Sequence, residues 1–359
     1  MNATGEHLAM LNQKKLAVAV TVALGASVGF MSSAQATSSL FFPHVVGSQT
    51  VASIVTVINT AEGRIAQFTN GNLHQTLWSK NIEGSEDAAN NRVCNDYNQY
   101  VTTSFNDITS FDVYGEFGQA TNGILFENRV TTNRVNNSND PNWSVGLGAD
   151  VVLPQRGFLL VSNEDNSSIT DEGVLRGEAF IFEFAAGATW GYQAANRNPD
   201  SVPHYDYSEA ASADNAALGI MPYDEFSTAL MITPVNDPGD SQNRGDWKTS
   251  VRLAQAGGPN AIGGFFDRDE NPFSRTNTKT VVCVGRIDVE NLLFGANGPA
   301  GQFLDGGWST LQINGSSDSD AVVFKLEYNL TDTINGEPVT GVFNNATHIL
   351  PPGVGWVEY

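Results

Sequence analysis

Five consecutive residues, Asp267-Arg268-Asp269-Glu270-Asn271, set oxygen donors at alternating positions, the spacing with which a loop wraps a calcium ion. Asp267, Asp269 and Asn271 are therefore the candidate ligands of a structural Ca2+. A helix–loop–helix site is excluded. The sixth position is Pro272 where glycine must turn, and the twelfth is Thr278 where a bidentate glutamate must close the cage. Asp237/Asp240/Asp246 and Asp318/Asp320 are acidic turns of the same kind, and the bland alternative for all of them is turn chemistry plus solubility. A second group of residues is suited to stacking. Trp190 and Tyr192 flank Gly191 after a strand, so a two-residue period points both rings the same way. With Trp247 they are the candidate platform for a sugar ring; the alternative is that this face is core, where large aromatics usually sit.

Other chemistries lack their residues. His44, His74, His204 and His348 show neither HxH nor HxxxH spacing, so no zinc or copper site is legible. Gly239-Asp240-Ser241 superficially resembles a lipase nucleophile, but the required DxxH is here Asn345-Ala346-Thr347-His348, and no GxSxG occurs. Phosphate-cradling glycine loops are absent too. No catalytic residue is assigned, and the chain is read as not being an enzyme. Lys plus Arg number 18 against 39 Asp plus Glu, a net charge of −21, which repels nucleic acid and anionic membrane surfaces.

The elements that would carry these residues begin with an export signal. Lys14 and Lys15 precede an apolar run from Leu16 to Phe30, followed by Ala34-Gln35-Ala36. A basic flank, a short apolar stretch and small residues before the cut describe a secretory signal peptide over 1–36. The run is short for a bilayer, which needs about 20 residues, so no spanning segment is expected after cleavage. In an oxidising compartment the pair Cys94 and Cys283 reads first as one disulfide, with two buried thiols as the alternative.

Strand periodicity dominates the rest of the chain. Ala52–Thr60 is rich in β-branched residues; Glu178–Phe184 puts three Phe on one face; Val322–Tyr328 alternates with Lys325 and Glu327 on the other. These predict strands with one face in water. Helix is predicted only over Ser208–Leu218 and Asp288–Phe294. The class is all-β. Two halves also line up. Phe42-Pro43-His44 and a strand ending at Asn59 match Met221-Pro222-Tyr223 and a strand ending at Asn236. Asp112 then matches Asp288, and Glu183-Phe184 matches Glu327-Tyr328. The predicted organisation is two related β-sandwich domains, immunoglobulin-like or jelly-roll-like, at 37–200 and 219–359, joined by a linker with a short helix at 201–218. Long polar loops, such as 128–142 and 163–172, separate the strands. The alternative is one large sandwich. An outer-membrane barrel is disfavoured because 353–359 does not sustain apolar alternation.

The opening Phe41-Phe42-Pro43-His44, with a strand ending Val57-Ile58-Asn59-Thr60, resembles a class of exported bacterial surface or periplasmic proteins with immunoglobulin-like β-sandwich domains. The likeness covers about 20 residues and implies export, a sandwich and no enzyme. The function expected is that of a non-enzymatic exported structural or surface protein, extracellular, on the cell surface or periplasmic. It would self-associate or bind cations through its acidic loops. The alternative is a module that binds a surface glycan, with or without calcium, through Trp190, Tyr192 and Trp247.

Overall fold

The computed structural model describes residues 39–60, 72–82, 89–103, 106–117, 153–162, 175–196, 216–222, 226–236, 244–254, 265–273, 276–293, 305–314, 319–329, 333–334, 337–338 and 344–349. The predicted signal peptide lies outside the described residues, as do His204, Gly239-Asp240-Ser241, Asp237 and Asp318. The chain is all-β, as its periodicity requires. Its first half runs β1 (Ser39–Gly47), β2 (Val51–Asn59), β3 (Asn72–Asn81), β4 (Asn95–Thr102) and β5 (Asp107–Asp112) into a one-turn helix, α1 (Val113–Phe117). It continues with β6 (Gln155–Ser162), β7 (Leu175–Glu183), β8 (Ala188–Gln193) and β9 (Ala195–Asn196). The second half begins with β10 (Ala216–Ile220), β11 (Phe226–Asn236), β12 (Lys248–Leu253), β13 (Phe265–Asp267) and β14 (Pro272–Phe273). Then come β15 (Lys279–Val282), β16 (Gly285–Asp288), α2 (Val289–Leu293), β17 (Gly307–Asn314) and β18 (Ser319–Asn329). The short β19 (Thr333–Ile334) and β20 (Glu337–Pro338) pair with each other before β21 (Asn344–His348).

Antiparallel ladders assemble these strands into open sheets. In the first half, a sheet of order β5-β2-β7-β8 faces one of order β4-β3-β6-β1-β9. Leu40, Phe42, Val55, Val57, Leu77, Phe111 and Leu159 fill the space between them. In the second half, β16-β11-β18-β21 faces a sheet built on β17, which pairs with β10, β12 and β13. Leu218, Leu230, Ile232, Val251, Leu311 and Val323 are enclosed there. Sheets facing one another across apolar inner faces are sandwich packing.

The two four-stranded sheets have the same strand order when β5, β2, β7 and β8 are set against β16, β11, β18 and β21. Asn59 pairs with Leu175 and Asn236 with Ser319, each at a ladder end. Glu183 and Glu327 consequently stand at the same distance along β7 and β18. Asp112 and Asp288 end β5 and β16, each directly before a one-turn helix, although their registers on the central strand differ by two residues. Asp112 caps α1: its Oδ1 accepts from the backbone N–H of Tyr114 at 3.2 Å and of Gly115 at 3.3 Å.

Three expectations need correcting. The predicted helix Ser208–Leu218 runs into Ala216-Ala217-Leu218, which is strand β10; the rest of that stretch lies outside the described residues. Ala216, Leu218 and Ile220 face inward while Ala217 and Gly219 face out, and pairing with β17 overrides alanine's helix propensity. On β7 the three Phe are not the core face: Leu175, Ala179 and Ile181 are buried, and Phe180, Phe182 and Phe184 are half-buried on the outside. On β18 neither face is in water. Lys325 and Glu327 form a largely buried ion pair at 3.0 Å, and Lys325 also donates to the Gly219 carbonyl at 3.1 Å.

Candidate functional site

A third apolar core explains why strands of both halves are buried on both faces. Phe41 of β1, Trp78 of β3, Phe158 and Leu160 of β6, Ile181 of β7 and Trp190 of β8 meet Met231 and Val235 of β11 and Val322, Phe324 and Leu326 of β18. Alternation makes this arrangement available. On β6, Leu159 and Val161 point into the first sandwich, while Phe158 and Leu160 point out of it into the second half. Trp247, from the second half, stacks on Phe158 with ring centroids 6.2 Å apart and planes 8° apart, and Trp78 covers Phe158 at 6.3 Å. Phe324 reaches the other way. It lies 4.8 Å from Tyr192, 5.9 Å from Trp190 and 4.9 Å from the His348 ring.

Several polar groups inside this junction are engaged across it. Glu183 Oε1 accepts from Trp190 Nε1 and from the Tyr328 hydroxyl, each at 3.0 Å. The Arg286 guanidinium sits 5.6 Å above the Tyr328 ring and pairs with Asp288 at 3.0 Å. The Tyr192 hydroxyl donates to the His44 carbonyl, and Thr233 Oγ1 donates to the Pro43 carbonyl. Burial pushes the Tyr192 and Tyr328 hydroxyls well above the usual phenol range, with Glu183 adding to the effect at Tyr328, so both remain donors.

His44 is a buried titratable group beside the junction. Its ring is 1% accessible, lies 6.0 Å from Trp190, and leaves Nδ1 without a hydrogen-bond partner. Burial first, then the positive charges of Arg156 and Arg286, hold its pKa well below the ordinary 6.5. The unfolded chain therefore takes up a proton on this ring below pH 6.5 while the folded chain does not. The stabilisation is full above pH 6.5 and is lost as pH falls towards the depressed folded value, at up to about 1.4 kcal/mol per pH unit. Melting temperatures of the wild type and His44→Gln between pH 7 and 5 should converge on acidification, because the variant lacks this term; parallel profiles would refute it.

A covalent seam borders the junction. Cys94 and Cys283 are bonded, 189 residues apart in sequence. Cys94 N–H donates to the Gly245 carbonyl at 2.9 Å, and a Cβ on Gly245 would stand 2.3 Å from the Cys94 carbonyl oxygen, so only glycine lets these chains touch. Beside the bond, Lys80 Nζ donates to the Val282 carbonyl at 2.7 Å. Asn90 Nδ2 donates to the Arg286 carbonyl at 2.8 Å and its Oδ1 accepts the Arg286 N–H at 3.2 Å.

The predicted site residues fare differently. Cys94 and Cys283 come together. Trp190 and Trp247 are 6% and 3% exposed, and the half-buried Tyr192 is spent on Phe324 and His44, so these rings form no open platform. Their apolar faces are consumed in joining the halves, which local sequence cannot foretell. Asp267, Asp269 and Asn271 lie in the β13–β14 turn. Asn271 donates to both Asp267 carboxylate oxygens, from N–H at 2.8 Å and from Nδ2 at 2.9 Å. The Asn271 side chain holds the Asp267 carboxyl below the usual carboxylate range. As folded, the turn closes on itself, and among the described residues no group of three His, Cys, Asp or Glu is gathered as a metal site. Sequence reasoning passed over Trp308, which among the described tryptophans is the exposed ring, at 45%. Its signal was parity: Leu311 and Ile313 are inward on β17, so Trp308 must point out. No protein-family model matches the chain, and no curated protein matches it.

Proposed function

We propose that the chain is a non-enzymatic exported structural protein of a bacterial surface or periplasm. Residues 1–36 are the leader. The mature chain is two related sandwich domains, descended from one by duplication, fused into a rigid unit that presents acidic polar loops for self-association or cation binding. The observation that carries this is the junction: Phe158, Trp190, Trp247 and Phe324 are consumed in holding the two sandwiches together, next to a disulfide of the kind that persists in oxidising compartments. Equal strand order in the two four-stranded sheets supports the duplication. Among the described residues no helix is long and apolar enough to cross a membrane.

The test is expression of the full chain in a Gram-negative host, followed by fractionation and mass spectrometry of the N-terminal peptide. Export with a new terminus at Thr37 is the expected result. Cytoplasmic protein retaining Met1 or Met10 and two alkylatable thiols would overturn the proposal. Light scattering at high concentration should show calcium-dependent assembly, and a monomer with and without calcium removes the self-association and cation-binding part.

A further inference from the structure

We propose that two copies of this chain pair through the far edge of β10, antiparallel about Leu218, so that the sheet built on β17 runs on from one copy into the other. This rests on the self-association proposed above and names a surface for it. The two halves show that a strand belongs on this edge. β6 lies between β3 and β1, and β17 lies between β12 and β10, antiparallel to its neighbours in both cases. β10 is thus the counterpart of β1. In the first half the far edge of β1 is taken by β9, with Leu40 opposite Asn196 and Phe41 opposite Ala195. Among the described residues no strand takes the far edge of β10. The ladders give a reason. Phe180 pairs with Gly191 and Phe324 with His348, and the two Phe hold the same place before Glu183 and Glu327. That register sets Ala194 and Ala195 against Pro351 and Pro352. Ala194 N–H donates to the Gly177 carbonyl at 2.9 Å as the chain enters β9. A proline has no N–H to give, so the second half cannot repeat that bond.

The edge fits a second copy of itself. Lys325 Nζ reaches the Gly219 carbonyl at 3.1 Å, which puts the Gly219 backbone on the side away from β17. Residues two apart on a strand turn their N–H and C=O the same way, so Ala217 does likewise. With Leu218 on a two-fold axis, Ala217 of one copy stands opposite Gly219 of the other, and each such pair exchanges both N–H···O bonds. The Gly219 carbonyl has a second lone pair for the incoming N–H. On the inner face Ala216 meets Ile220 and Leu218 meets Leu218, extending a core that these side chains already line. On the outer face two exposed small residues meet, and a Cβ on Gly219 has open space. β10 carries neither proline nor charge, the devices that keep edges apart. Two of the four large apolar side chains exposed among the described residues border it: Trp308, opposite Gly219, and Met221, directly after the strand. Two chains of −21 repel each other, and a neutral edge is where they can approach. Five residues a side fall short of the about 800 Å² that each partner gives to a stable complex, so the pair is weak and forms when the protein is crowded.

The experiment is sedimentation velocity of the full mature chain over a concentration series, at low and high sodium chloride. Chelator is present throughout, so that calcium-dependent assembly through the acidic loops is silent. A dimer that grows with concentration is expected, and salt should strengthen it by screening the like charges. Ala217→Lys with Gly219→Lys sets two like-charged pairs across the axis. It should raise the dissociation constant at least tenfold with an unchanged melting temperature, since both positions are exposed in the monomer. Ala217→Glu with Gly219→Glu should do the same. Mixing the two variants sets lysine opposite glutamate and should restore a dimer made of one copy of each. A chain that stays monomeric in chelator, a dimer untouched by the lysine pair, or lysine and glutamate variants that fail to recombine would overturn the proposal. Light scattering with calcium reads the acidic loops and fractionation reads export, so the β10 contact can fail while those readings stand.

Discussion

Replacing Cys94 and Cys283 together by alanine lowers the thermal midpoint by roughly 10 °C. The bond spans 189 residues. In the chain-entropy model, a loop of that length restricts the unfolded ensemble by about 5 kcal/mol, and removal of native disulfides typically costs about 2–5 kcal/mol. For a chain of this size one kcal/mol corresponds to about 2–4 °C or slightly less. Both sulfurs are buried, Cys283 fully, and Lys80 and Asn90 bond the backbone on either side of Cys283, so the folded geometry around the seam is held by other contacts. The loss is therefore felt chiefly by the unfolded state, and the folded variant should keep the wild-type circular dichroism spectrum. Calorimetry with and without reductant makes the check. Reductant should bring the wild type to the variant's midpoint and leave the variant where it is. A double variant melting within about 2 °C of the oxidised wild type would contradict the expectation.

Much of this architecture is legible in the residues, for a definite reason. A strand writes its two faces into alternate positions, so Ala52–Asn59, Val322–Tyr328 and the ends marked by Asp112 and Asp288 can be read as strands and strand ends without knowing their neighbours. The cysteine pair is legible because oxidised pairing leaves few alternatives for two thiols. Alternation cannot write which face meets what. Phe158 and Leu159 are both fully buried, yet one lies inside the first sandwich and the other between the sandwiches. For Trp190 and Trp247 alternation leaves a platform and a core face open, and they turn out to be core, at the joint. Among the described tryptophans the exposed one is Trp308, to which no role was assigned. Lys325 and Glu327 likewise read as a solvated face, because a buried ion pair has the same one-dimensional pattern as a wet one. The missing information is the packing of one sheet on another, carried by contacts between residues far apart in the chain, such as Phe158 with Trp247 and Trp190 with Phe324.

That same packing predicts that Phe324→Ala separates the unfolding of the two sandwiches. Phe324 is 4% exposed on β18 and belongs to the junction alone, against Trp190, Tyr192 and His348. Truncating a buried phenylalanine costs about 3–5 kcal/mol, and here the loss falls on the contact that couples the halves. The neighbouring Val323 is equally buried but points the opposite way, into the second sandwich's own core. Val323→Ala should weaken that sandwich while the joint stays intact, so the chain still melts in one transition at a lower temperature. Phe324→Ala should instead resolve two calorimetric transitions, because each sandwich keeps its own core and loses its partner. Adding Trp190→Ala to Phe324→Ala should cost less than the sum of the single losses, since each residue removes the other's contact. One transition in Phe324→Ala, with a midpoint shift no larger than that of Val323→Ala, would mean that the disulfide and the backbone bonds at Lys80 and Asn90 hold the halves together and that the aromatic packing only fills space.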